Sequence, residues 1–185
     1  VFSFDFKDPK YSAHNLPLIS RGVVVANCYT RGSLYRGEEW KQSGINDYIF
    51  HPILDTEACI RHLVDMQLAV KGRILIKSVG MNSIITTNVG NDLAWVPGTG
   101  IFLDMPLLDP ILSRNTDISL KWISFQFGMN ITDHNYKVLD EISPYNGINK
   151  SYYPSTFIVS GTYDINVPVG QSLKYVAKLR DKKTN

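Results

Sequence analysis

The stretch Lys71 to Ile85, KGRILIKSVGMNSII, decides the fold. Ile74, Leu75 and Ile76 form a short apolar run of the buried-strand kind, Ser78-Val79-Gly80-Met81-Asn82-Ser83 is a turn, and the apolar residues that follow suit a helix. A strand that breaks sharply into a helix lifts its apex residue above the sheet edge. The next backbone N–H is then aimed at the place where an oxyanion develops. Which residue occupies the apex therefore governs the chemistry.

Outward from this stretch, strand and helix signals alternate. Val1 to Phe6 alternates apolar and polar residues, as an edge strand does, and ends at Asp8-Pro9. Val23 to Cys28 is a β-branched run with apolar residues on both faces, the pattern of a strand covered on both sides. Asp55 to Val64 reads as an amphipathic helix with Asp55 as N-cap and an apolar stripe of Cys59, Ile60, Leu63 and Val64. Ser83 to Trp95 continues as a helix that Gly90 weakens. Thr99 to Met105 is a buried strand, Asn135 to Ile142 a helix, and Ser155 to Gly161 another strand. Val169 to Lys182 is an amphipathic helix whose Leu173, Val176, Ala177 and Leu179 face inward. Such alternation predicts an α/β fold with a mainly parallel sheet, its strands at Val23 to Cys28, Ile74 to Ile76, Gly100 to Leu103 and Phe157 to Ser160.

Composition narrows the possibilities further. The chain has 185 residues, 44% of them hydrophobic, which suffices for one domain with a real core over residues 1–185. Its 19 basic and 17 acidic residues are scattered, so no nucleic-acid footprint is expected. No run reaches the length of a membrane span. The two cysteines, Cys28 and Cys59, lack metal-ligand spacing and suit free thiols of an intracellular, reducing compartment rather than a disulfide scaffold. Neither a metal nor a cofactor is implied. The chain begins at Val1 without a signal-peptide pattern, as expected of a processed chain or a fragment.

Several segments, in order, resemble the peptidase domain of the prolyl oligopeptidase family. They are Asp8-Pro9-Lys10-Tyr11-Ser12, then Arg31-Gly32-Ser33-Leu34-Tyr35-Arg36-Gly37-Glu38-Glu39-Trp40, the helix from Asp55, the S-P-Y-N-G around Tyr145, and Gly161-Thr162-Tyr163-Asp164 with Val176 to Arg180. The resemblance implies an α/β-hydrolase-like three-layer sandwich, without the final His loop and helix, and a serine-peptidase ancestry. In the family the organising turn reads roughly G-G-S-x-G-G. Keeping the flanking apolar segments in register places Gly80 at the nucleophile position, with Met81 after it as the oxyanion N–H donor. A shifted register makes Ser78 the apex instead. The triad acid matches Asp164, and Tyr11 matches the Tyr that assists the oxyanion hole.

The departures fall in the motifs that carry chemistry. In this fold the His follows the Asp in the chain, yet all four histidines, His14, His51, His62 and His134, precede Asp164. Without an imidazole no general base takes the proton of a Ser. The family's small and acidic positions after Arg31-Gly32 have become Ser33, Leu34 and Tyr35; its substrate-anchoring Arg is Asn166; and paired glutamates for a basic side chain are replaced by Phe125 and Gln126.

Three readings follow. The first is a catalytically dead relative kept as a structural or interaction subunit of a larger assembly, with other protein subunits as partners; a mitochondrial setting is the guess. The second is a fragment of a serine-type oligopeptidase with Ser78 as nucleophile and Asp164 as acid. The third is a pseudoenzyme that binds a peptide without cleaving it.

Overall fold

The computed structural model describes residues 11–92, 98–111 and 133–185. Three parallel strands, β1 (Leu75–Val79), β2 (Gly100–Asp104) and β3 (Ser155–Val159), form a sheet in the order β1-β2-β3. Their register is regular: Leu75, Gly100 and Ser155 share one row, and Val79, Asp104 and Val159 another. The helices are α1 (Leu16–Ile19), α2 (Glu38–Gln42), α3 (His51–Asp65), α4 (Ser83–Asp92), α5 (Asp133–Glu141) and α6 (Val169–Lys182). Single 3-10 turns at Leu34–Arg36, Asn46–Tyr48 and Gly80–Asn82 lead into α2, α3 and α4.

The alternation of strand side chains explains the layering. Ile76, Ser78, Ile101, Leu103, Thr156 and Ile158 face the helices. One buried cluster joins Ile53 and Ile60 of α3, Ile84, Ile85 and Val89 of α4, and Leu107, Leu139 and Ile142. A second joins Ile101 and Leu103 of β2 to Leu108, Ile148, Tyr153, Tyr175 and Leu179. Gly90, which weakens α4 as an isolated helix, allows the helix to settle on the sheet. A Cβ there would come within 2.1 Å of Ile101 Cδ1. The opposite face carries Leu75, Lys77, Val79, Phe102, Asp104, Phe157 and Val159, of which Leu75, Val79, Phe157 and Val159 are exposed.

Three expectations need correction. The run Val23 to Cys28 pairs with none of the three described strands; Val23 and Val24 are 47% and 59% exposed, so their β-propensity has no packing surface on which to act. Cys28 and Cys59 are not free thiols but a disulfide, which ties this extended segment to the middle of α3. The inward stripe of α6 is rotated. Leu173 and Ala177 are exposed, while Gln171, Ser172, Tyr175 and Leu179 are buried.

The rotation of α6 has a polar cause. Gln171 Oε1 accepts the backbone N–H groups of Leu108 and Asp109 at 2.9 and 3.0 Å, and Ser172 Oγ lies 2.6 Å from Ser160 Oγ. Lys174 Nζ reaches Asp109 Oδ2 at 2.5 Å, and Lys178 Nζ donates to the Tyr145 carbonyl at 2.7 Å. Burial pushes the Tyr175 hydroxyl well up from its ordinary pKa, so this phenol stays neutral in the core.

Two smaller differences concern helix ends. α3 begins at His51, ahead of the expected start, because Pro52 occupies its first turn. Asp55 therefore lies within the helix instead of capping it, and α4 is described only to Asp92. The edge strand expected at Val1 to Phe6 lies outside the described residues.

Candidate active site

Parallel strands deliver their C-terminal ends to one edge of the sheet, where sites of this architecture sit. Gly80 follows β1 there, Met105 follows β2, and the loop carrying Asp164 follows β3. With β2 between them, the ends of β1 and β3 stand roughly 10 Å apart, twice the usual strand spacing.

Gly80 occupies the apex of the strand-to-helix turn, with φ +59. Val79 before it is extended (φ −127, ψ 138), and Ser83 after the turn is helical (φ −63, ψ −27). A Cβ at Gly80 would meet nothing within 4 Å, so the apex faces open space. Its carbonyl accepts the N–H of Leu107 at 3.1 Å, which fixes the turn to the chain leaving β2. Met81 is half-buried and packs on the first core cluster. Ser78 lies inside β1 with its side chain buried, its Oγ donating to Ser83 Oγ at 3.4 Å; Ser83 itself is fully buried.

Asp164 is engaged locally. Its Oδ1 accepts the N–H groups of Asn166 at 2.8 Å and Val167 at 3.1 Å, an Asx turn that shapes the loop. Asn166 is exposed and takes part through its backbone. Tyr11 is 81% exposed, and Tyr35 stacks on Tyr29 at 4.4 Å in the turn before α2. Phe125 and Gln126 lie outside the described residues. His14 belongs to a 3-10 turn at Ala13–Asn15 and His62 to the last turn of α3. His51 Nδ1 lies 2.7 Å from the Ser43 carbonyl, and its ring stacks on Tyr48. The edge therefore gathers Gly80, Met81 and the Asp164 loop, while the Ser78 side chain is buried within the strand that leads to it.

A second constellation went unread in the sequence. Arg31 clasps Asp55 through Nε at 2.9 Å and Nη2 at 2.6 Å, and its own N–H bonds the same carboxylate at 2.9 Å. Burial pushes the Asp55 carboxyl up, but the side-chain hydrogen bonds, backbone N–H and charge of Arg31 outweigh it and hold the group below its ordinary value. Asp55 and Cys59 stand one turn apart on α3, so the ion pair and the disulfide fasten the same 28–31 segment to one helix face. The i, i+4 spacing of Asp55 and Cys59 was visible; their partners, distant in sequence, were not. Among the described residues no group of three or more His, Cys, Asp or Glu is placed to hold a metal. Among the same residues no helix is long and apolar enough to cross a membrane.

A parallel sheet with a positive-φ elbow between its first described strand and a packed helix defines a domain of the α/β-hydrolase type. Residues 9–80 and 102–185 match the prolyl oligopeptidase family, and the chain belongs to it. Protease 2 of Moraxella lacunata is 24% identical over 180 residues, covering 96% of this chain and 26% of its own length. Dipeptidyl aminopeptidase BI of Pseudoxanthomonas mexicana is 28% identical over 185 residues, covering 96% of this chain and 25% of its own. The structure of oligopeptidase B from Leishmania major superimposes with a TM-score of 0.87 at 22% identity, over 97% of this chain and 25% of that one. At that identity the likeness speaks for the fold. The chain spans about a quarter of the length of these curated relatives.

Proposed function

We propose that this chain is a non-catalytic member of its serine oligopeptidase family, a single α/β domain that acts as a structural or interaction module of a larger assembly. The observation that carries the reading is Gly80: the apex that would present a nucleophile has no side chain, although nothing lies within 4 Å of where one would begin. The buried Ser78 Oγ, bonded to Ser83, is poorly placed to attack anything in solvent. Asp164 already spends one carboxylate oxygen on its own loop. The exposed Leu75, Val79, Phe157 and Val159 side chains of the sheet supply apolar surface for a neighbour.

The family's peptidases favour the rival reading, a fragment of an oligopeptidase with Ser78 as nucleophile. Labelling with a fluorophosphonate separates the two. The non-catalytic reading expects no covalent adduct on the chain. An adduct that disappears in Ser78→Ala would establish the peptidase reading in its place.

A further inference from the structure

Two independent observations bear on one modification of this chain. The first is the disulfide between Cys28 and Cys59. Structural disulfides form and persist in oxidising surroundings, such as the lumen of a secretory pathway, and are rare where reductants keep thiols free. The second is Asn149-Lys150-Ser151, an N-x-S triplet whose middle residue is not Pro, the acceptor pattern for N-linked sugar. A second such triplet, Asn130-Ile131-Thr132, lies outside the described residues.

The fold holds the main chain of the Asn149 triplet and leaves its residues at the surface. The Asn149 N–H donates to the Tyr153 hydroxyl at 2.9 Å, and that hydroxyl donates to the Asn149 carbonyl at 2.9 Å, while Tyr153 itself is buried. The Ser151 N–H donates to the Lys182 carbonyl at 3.3 Å, and the Thr184 N–H to the Ser151 carbonyl at 3.0 Å. Asn149, Lys150 and Ser151 are all exposed. Asn149 Nδ2 donates to the Gly147 carbonyl at 3.1 Å. An Asn amide has two N–H groups and keeps one when it carries a sugar, so this bond is compatible with the modification. The triplet precedes Ser155, where β3 begins, and so lies toward the sheet edge opposite Gly80 and the Asp164 loop. The five-residue strands between the two edges are roughly 16 Å long, which keeps a glycan at Asn149 away from the candidate active site.

We propose that Asn149 is the acceptor of an N-linked glycan, attached as the chain enters an oxidising secretory compartment. The donor is an oligosaccharide carried on a lipid diphosphate. Asn149 Nδ2 bonds to the anomeric carbon of the first sugar, and the bond from that carbon to the diphosphate oxygen breaks. The lipid diphosphate leaves with the electron pair, and one Nδ2 proton passes to a base of the transferase. Nothing is oxidised or reduced. Ser151 supplies the hydroxyl by which the transferase recognises the triplet. Such transfer precedes folding, so the folded chain has only to leave Asn149 outside, as it does. The proposal is independent of whether the domain is catalytic.

The test maps peptides of the chain from its native source after treatment with peptide N-glycosidase F in heavy-oxygen water. Asn149 should be recovered as heavy-oxygen-labelled Asp, and its recovery as unmodified Asn overturns the proposal. The whole chain, secreted from insect cells behind a cleavable signal peptide, should run faster on a gel after the same enzyme. Ser151→Ala and Asn149→Gln should each carry one glycan fewer, whereas Ser151→Thr, which keeps the hydroxyl, should carry the full number. A glycan count unaltered in both loss variants places any sugar elsewhere, Asn130 included, and overturns the proposal. Two titratable thiols in the native-source chain would remove the oxidising compartment and the proposal with it.

Discussion

Breaking the Cys28–Cys59 disulfide should destabilise the chain by an amount that its loop length sets. The bridge spans 31 residues, and the chain-entropy relation gives about 3.7 kcal/mol at 25 °C for a loop of that size. That relation describes the unfolded ensemble, so the expected loss needs no native contact to break. The Arg31–Asp55 clasp remains to hold the segment after reduction, which argues for a lower melting point and not for an unfolded 28–31 turn. For a chain of this size each kcal/mol moves Tm by about 2 to 4 °C, so reduction should lower it by roughly 7 to 15 °C. Differential scanning calorimetry with and without a phosphine reductant measures the shift. A Cys28→Ser, Cys59→Ser double variant should melt near the reduced protein and ignore the reductant. Two titratable thiols in the untreated folded chain, or a shift of less than about 2 °C, would refute the reasoning that the loop is covalently closed.

Four further outcomes follow from particular contacts. Gly44→Ala should cost about 3 kcal/mol or more in chemical denaturation, because its Cβ would meet backbone that cannot move aside, at 2.2 Å from Gly32 N and 2.4 Å from Arg31 C. Gln171→Leu should cost about 2 to 4 kcal/mol, since it leaves the buried N–H groups of Leu108 and Asp109 without their acceptor. Gly80→Ser should fold with a loss of about 1 to 2 kcal/mol from the left-handed backbone, read in chemical denaturation, and an unchanged stability would contradict this. Asp55 has a folded pKa below its unfolded value, so its contribution to stability is complete above the unfolded pKa near 4 and is lost as pH falls through the lower folded value. Asp55→Asn should therefore flatten the acid limb of the stability profile, and an unaltered limb would mean the clasp does not matter.

What the sequence disclosed followed the physics of local signals. The apolar run before Gly80, the residues of β2 and β3, and the full length of α6 were legible because each is set by its own period and its own turn residues. Val23 to Cys28 misled because a β-branched run states only a preference for a half-buried pleated surface, and the described structure offers it none. α6 was placed correctly and turned wrongly. Its stripe was chosen by counting apolar residues, whereas Gln171 and Ser172 face inward to satisfy buried backbone and hydroxyl groups that no local window contains. The cysteine pair and the Arg31–Asp55 clasp failed for the same reason. Their partners are separated by 31 and 24 residues, and only the fold brings them together.

The turn at Gly80 persists for reasons that lie in packing. A positive-φ residue lasts in such a turn only where its surroundings enforce it. Here the enforcement is visible: the Leu107 N–H holds the Gly80 carbonyl, Ser83 starts α4 from a fully buried position, and Gly90 lets the same helix press onto Ile101. Rotating the turn would lift α4 from β1 and β2 and open the first core cluster, at a cost of several buried isoleucines. Glycine is the residue that meets this backbone demand at least expense, since any L side chain at φ +59 adds strain of its own. The elbow therefore works as the joint that sets a helix on a sheet, and a domain can keep that joint whether or not its apex reacts.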